Sequence, residues 1–273
     1  MPDTDHGYDS PFPSRSDIER AFEAIQHPPR ELPGIDLRED HQLALLTALA
    51  PMYADLPWGH SDGAYRYSHD NTWFTRADAI FLALLMRHVA PRRIIEVGCG
   101  FSSAVILDVN DLWFTTSIDV TFVEPNADRL RSVTRPGDLD DRLIEAVVQD
   151  VPTSRFAALE GGDMLLIDSS HMMKAGSDVK YLFDEVLPRL ASGVWVHVHD
   201  VLYPFEYPRD WLDQGTAFNE AYALRYLLQG GSAYRIELFP DYLATFHGDL
   251  IAQHFPLATE RPFPTGGLWL RRV

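Results

Sequence analysis

The ten residues Ile94-Ile-Glu-Val-Gly-Cys-Gly-Phe-Ser-Ser103 limit what this chain can fold into more than any other stretch. A short β-branched run ends in two glycines one residue apart, and small polar residues that suit a helix start follow at once. That order reads strand, tight turn, helix. Gly98 and Gly100 let the backbone turn sharply and approach a ligand with no Cβ in the way. The helix that follows offers free N–H donors in its first turn, and Ser102 and Ser103 can cap it or bond the ligand.

From residue 92 the same alternation continues to the end of the chain. Short apolar runs predict strands over 94–97, 120–124, 146–149, 164–167, 193–198, 234–239 and 267–271. Helical spacing between them predicts helices over 102–108, 126–133, 179–190 and 218–228. This is the pattern of an α/β fold, with five parallel strands and a terminal pair. Upstream, 16–25, 43–52 and 75–87 read as helices, in a region richer in Pro, Asp and Ser. We therefore expect an N-terminal arm and cap over 1–75 that contributes to the substrate site, and one α/β domain over 76–273.

Two carboxylates sharpen the reading of the glycine turn, which alone serves geometry as readily as binding. Glu124 ends the second predicted strand, where an acid bonds ribose hydroxyls in dinucleotide folds. Glu96 lies inside the first strand, two residues before Gly98, and a buried acid there needs a cationic partner. The ammonium of an amino-acid tail is such a partner, whereas a pyrophosphate would be repelled. Ser103 also stands where the dinucleotide pattern has its third glycine. These points favour S-adenosylmethionine over NAD.

Glu96-Val-Gly-Cys-Gly100 followed by Phe-Ser-Ser resembles motif I of the class I S-adenosylmethionine-dependent methyltransferases, and Phe122-Val-Glu-Pro125 resembles their second motif. Gln149-Asp150 sits where those enzymes often hold the adenine. The resemblance covers roughly 92–273. It implies a Rossmann-like, seven-stranded, mostly parallel sheet of order 3-2-1-4-5-7-6 with helices on both faces. It also implies that Glu96, Gly98, Gly100, Glu124 and Asp150 contact the cofactor, and Ser102 and Asp168 complete the expected set.

The reacting groups should stand at the carboxyl ends of the central strands. Strand four ends in Asp168-Ser-Ser-His171 and strand five in His197-Val-His199-Asp200. Neighbouring strands lie about 4.8 Å apart, so Asp168 and Asp200 can share a hard cation such as Mg²⁺. His199 is a candidate third ligand, although alternation along the strand points it to the opposite face. His171 is the candidate general base for a hydroxyl, with Asp168 beside it. The plainer alternative is that Asp168 caps the turn that follows it.

An aspartate, two residues, a histidine, and a later aspartate after strand five is similar to the metal-dependent sugar O-methyltransferases of macrolide biosynthesis. Catechol-type enzymes share the plan, but carry lysine where His171 stands and an Asp-Asn pair after strand five. The stretches Ile167-Asp-Ser-Ser-His-Met-Met-Lys-Ala-Gly-Ser-Asp178 and His199-Asp-Val-Leu-Tyr-Pro-Phe-Glu-Tyr-Pro208 resemble a bacterial group of small methyltransferases. Tyr67-Ser-His-Asp-Asn71 and Trp211 with Asn219-Glu220 resemble that group's flanking segments. Some of its members sit in polysaccharide pathways. The resemblance implies methyl transfer to a hydroxyl of a sugar or oligosaccharide. The rivals are a phenolic or other natural-product hydroxyl and a noncatalytic nucleoside-binding protein.

Charge and composition narrow the partners. A formal net charge of -17 argues against nucleic acid and anionic lipid, which need a cationic surface. Cys99 is the lone cysteine, so neither an internal disulfide nor a cysteine-based zinc cluster can form. The N-terminus lacks a cationic start followed by an apolar run, and the longest apolar run, 79–86, is too short to cross a bilayer. A cytoplasmic protein with no membrane partner is the expectation. Tyr65, Tyr67, Trp73, Tyr203, Phe205, Tyr207 and Trp211 are candidates to line the acceptor mouth, each more often a packing residue than a ligand contact. An exposed aromatic cap would suit a homodimer.

Overall fold

The structure is a computed structural model that describes residues 10, 12–58, 64–230, 233–259 and 266–273. Seven strands form one sheet: β1 (Arg93–Val97), β2 (Asp119–Val123), β3 (Leu143–Ile144), β4 (Met164–Ile167), β5 (Trp195–His199), β6 (Tyr234–Leu238) and β7 (Gly267–Arg272). Their order is β3-β2-β1-β4-β5-β7-β6, as the family resemblance implies. β1 pairs in parallel with both β2 and β4, so the chain reverses its direction of travel across the sheet at β1. β7 runs antiparallel between β5 and β6.

Around the sheet stand α1 (Arg15–Gln26), α2 (Glu39–Leu49), α3 (Arg76–Val89), α4 (Phe101–Phe114) and α5 (Asp128–Ser132), followed by α6 (Thr153–Ala157), α7 (Asp178–Tyr181), α8 (Arg209–Asp213), α9 (Glu220–Leu228) and α10 (Pro240–His254). All residues of β4 and β5 are buried, as befits central parallel strands covered on both faces. The apolar run noted above lies in α3, which starts at a Thr75–Asp78 capping box and is buried from 77 to 86. It is an internal helix, and among the described residues no helix is long and apolar enough to cross a membrane.

The N-terminal segments share the hydrophobic core: Leu46, Leu49, Trp58, Tyr67 and Phe74 are buried with the sheet residues. Two polar ties fix them. Arg66 places its guanidinium 3.1 Å from Asp108, 2.7 Å from Asp111 and 2.6 Å from Asp138. Its backbone N–H and that of Tyr67 also donate to Asp108. At the β6 edge, Gln42 of α2 accepts from Phe239 N at 2.7 Å, and Arg38 donates to Ile236 O at 2.6 Å. An edge strand that would otherwise offer open hydrogen bonds is thereby partly covered.

α6, α8 and α10 have no counterpart in the sequence reading, and three further elements depart from it. The third strand is Leu143–Ile144, not 146–149; there the chain leaves the sheet, Val147 is exposed, and Val148–Asp150 forms a 3₁₀ turn. The helix expected over 179–190 is only α7 before it widens into a π turn, Leu182–Val186, and tightens into Leu187–Arg189, where Pro188 interrupts it. The helix expected over 43–52 lies earlier, at Glu39–Leu49.

Candidate active site

A cleft of about 480 Å³ opens over the carboxyl ends of β1, β2, β4 and β5, a volume suited to a nucleoside-sized ligand. The glycine loop forms its floor. Gly98 has φ +79°, and a Cβ there would lie 1.8 Å from the carbonyl oxygen of Asp168. Only glycine fits, because β1 and β4 exit side by side: Gly98 N donates to Val123 O at 3.0 Å, and Asp168 N donates to Val97 O at 2.9 Å. Gly100 and Ser102 also line the cleft, and α4 begins there.

Glu96 is fully buried and is not on the cleft wall. Its Oε2 accepts a short hydrogen bond from Ser103 Oγ, which in turn accepts from Gly100 N at 3.0 Å. Its Oε1 has no hydrogen-bond partner. Burial pushes this carboxyl up to about 8, against which the Ser102 and Ser103 contacts act only in part. Glu124 lines the cleft and ties the loop to β2, accepting from Cys99 N at 2.9 Å and Asn126 N at 2.8 Å.

Gln149, not Asp150, lines this cleft. Its Nε2 donates to Gly176 O at 2.9 Å, and its buried Oε1 has no partner. Asp150 lines a separate groove with Arg93, Asp119 and Arg155. In a 3₁₀ turn successive side chains point about 120° apart, so the two neighbours part company.

At the other end of the cleft Asp168, His171, His199 and Asp200 come together. His171 Nε2 lies 3.4 Å from Asp168 Oδ1 and 3.5 Å from Asp200 Oδ2, and its Nδ1 lies 3.0 Å from Glu220 Oε2. His199 Nε2 lies 3.6 Å from Asp200 Oδ1. Burial alone would push the His171 imidazole down, but bonds to Asp168 and Glu220 hold it well above the ordinary histidine value. Asp168 is drawn below its usual range: burial acts to raise it, and His199 and His171 outweigh that. His197 sits in the core with its ring 4.4 Å from that of Trp269, and burial pushes it down to about 3.

The candidate metal ligands Asp168, Asp200 and His199 share this corner but do not form a cage. An imidazole nitrogen stands between the two carboxylates, and among the described residues no three His, Cys, Asp or Glu side chains are grouped to hold a metal ion. Carboxylate and imidazole donors meet at this corner, and the arrangement as it stands is an imidazole flanked by carboxylates.

Of the aromatic candidates, only Trp73 lines the cleft, 60% exposed, with the Arg129 guanidinium 3.9 Å over its ring. Tyr67, Tyr203, Phe205 and Tyr207 are buried packing residues. Phe74 and Phe218 line the cleft instead, Phe74 against His199 and Phe218 against His171. The sequence places Gln149 beside Asp150 at the adenine position, whereas Glu220, noted only within a resembling flanking segment, gives no signal as the partner of a histidine 49 residues away.

The family described as "Methyltransferase domain" matches residues 95–201. An uncharacterized protein of Archaeoglobus fulgidus is 34% identical over 161 residues, 55% of this chain and 71% of that protein. Among solved structures, the methyltransferase PaMTH1 of Podospora anserina, bound to SAH, has a TM-score of 0.46 at 15% identity, covering 93% of this chain and 96% of its own. An O-methyltransferase from Bacillus cereus in complex with SAH has a TM-score of 0.45 at 14% identity, covering 94% of this chain and 100% of its own. The family match runs from within β1 to just past β5, the stretch that builds both the glycine loop and the histidine corner; this part of the chain is similar to a methyltransferase domain, on a seven-stranded sheet with the strand order of the Rossmann-like methyltransferase fold.

Proposed function

We propose that this enzyme methylates a hydroxyl oxygen of a small acceptor, a sugar or oligosaccharide foremost, with His171 as general base. The observation that carries the reading is His171 itself. Its Nε2 stands at the strand-four end of the cleft whose floor is the glycine loop, between two carboxylates.

S-adenosylmethionine brings an electrophilic methyl on a sulfonium when bound. Glu124 and Gln149, which line the cleft, would hold the ribose hydroxyls and the adenine amine, and Glu96, whose buried Oε1 has no partner, would hold the amino group of a methionine tail that reaches past the cleft wall. Asp150 has no part in this arrangement. At the reacting end the neutral form of His171, which its raised value makes dominant only at alkaline pH, would take the hydroxyl proton on Nε2, and Asp168 and Asp200 would stabilise the imidazolium that results. Phe74 and Phe218 shield this corner from water, and Trp73 offers a flat face that suits the apolar face of a sugar ring.

The test is release of S-adenosylhomocysteine from purified protein, S-adenosylmethionine and a panel of mono- and oligosaccharides beside catechols. Turnover of a saccharide that His171→Ala reduces by about 10²-fold or more supports the reading. Turnover of a catechol with every saccharide inert would overturn the sugar assignment. Turnover unaffected by His171→Ala would overturn the base.

A further inference from the structure

The imidazole at the reacting end is held from behind by a group that never reaches the cleft. Glu220 opens α9, is 1% exposed, and places its Oε2 3.0 Å from His171 Nδ1. It is not among the residues that line the cleft. Phe218, two residues earlier, packs its ring 4.7 Å from the imidazole. His171 has a left-handed backbone, φ 57°, a conformation that is strained for a non-glycine residue and persists only when its surroundings enforce it.

The surroundings do enforce it, and without the Glu220 side chain. Asn219 N and Glu220 N donate to His171 O at 3.0 and 3.3 Å. Met173 N donates to Asn219 Oδ1 at 2.6 Å, and Asn219 Nδ2 donates to Met173 O at 3.2 Å. Four hydrogen bonds therefore fasten the loop to α9 already. As a structural tie the carboxylate is superfluous and costly, since its Oε1 is buried with no partner. What the carboxylate adds is direction. Burial acts to raise the Glu220 carboxyl and the bond to His171 acts against that; in its ionised form the carboxylate only accepts, so Nδ1 carries the proton and Nε2 is left to face Asp168, Asp200 and the cleft.

We infer that Glu220 is a positioning residue for methyl transfer, accepting Nδ1–H so that Nε2 of His171 is the nitrogen presented to the acceptor hydroxyl. The inference rests on the proposed role of His171. Asn219 holds the loop, and Glu220 sets the ring. The arrangement resembles in logic the buried aspartate behind the histidine of a serine protease, where loss of the carboxylate leaves the geometry and removes the function.

Two measurements on the full chain test it. The first needs no acceptor: proton NMR of ¹⁵N-histidine-labelled protein, with His171→Asn to assign the signal. A far-downfield imidazole N–H belonging to His171 is expected in the wild type and absent in Glu220→Ala. The second uses whichever acceptor the panel returns. Glu220→Gln should lower kcat about a hundredfold with KM and S-adenosylhomocysteine affinity within about threefold of wild type, and Glu220→Asp should recover part of the rate. A Glu220→Gln enzyme at wild-type rate overturns the inference, as does loss of cofactor affinity in step with kcat. If no acceptor turns over, the proposed function fails, while a missing N–H signal in the wild type overturns the Glu220 role by itself.

Discussion

Replacing Glu96 with glutamine should move stability and cofactor affinity in opposite directions. The side chain is fully buried, and its carboxyl is pushed from 4.5 up to about 8, so the folded protein holds a proton that the unfolded chain releases. A raised acid is unpenalised below the unfolded value; its cost enters as pH rises through 4.5 and is complete above about 8. At pH 7, 2.5 units above the unfolded value, that is about 3 kcal/mol of lost stability, an upper bound that glutamine does not incur. Glutamine keeps an oxygen for Ser103 Oγ. The melting temperature of Glu96→Gln should therefore match the wild type near pH 4.5 and exceed it by several degrees at pH 8. The same change removes the carboxylate proposed above to meet the cofactor's ammonium, and losing one side of a buried charge pair costs about 2–5 kcal/mol, at least about thirtyfold in Kd. Melting scans from pH 4.5 to 8.5 and calorimetry with S-adenosylhomocysteine read both effects. A variant that melts lower at pH 8, or binds as tightly as wild type, would refute the reasoning.

Three further outcomes are expected. Saturating EDTA should leave methyl transfer unchanged, because an imidazole stands between Asp168 and Asp200; activity restored only by Mg²⁺ would mean that the corner rearranges around a cation. Gln149→Leu should raise the Kd for S-adenosylhomocysteine about tenfold by removing one buried hydrogen bond, while Asp150→Asn should leave it alone; calorimetry separates them. Arg66→Ala strands Asp108 and Asp138 without their cation and should cost about 3–5 kcal/mol in urea unfolding, whereas Arg20→Ala, an exposed pair with Asp17, should leave the urea midpoint unchanged.

The parts of this fold that the sequence exposes are those encoded by neighbours. β1, its glycines and the start of α4 are contiguous, and a Cβ at Gly98 meets a backbone carbonyl that any parallel strand beside β1 would present. Asp168 and His171 are three residues apart, so their meeting was readable from spacing. β3 was misplaced because two bridged residues carry no period, while the apolar run after them at 146–149 looked like a strand and is a turn. Asp150 and Gln149 could be told apart only by that turn. The aromatic residues misled for a similar reason: a Tyr packed between cap and core and one lining a mouth have the same sequence environment. Glu220 needed the tertiary structure, since α9 and the loop after β4 meet only when the chain has closed.

Trp73 carries an optical consequence. Its indole is mostly in solvent at the rim of the cleft, braced by Arg129, whereas Trp58, Trp195 and Trp269 are buried. Any molecule that settles in the cleft changes the water around this ring while leaving the buried indoles untouched. Acrylamide quenching of the native fluorescence therefore follows occupancy with no label attached, and Trp73→Phe supplies the blank.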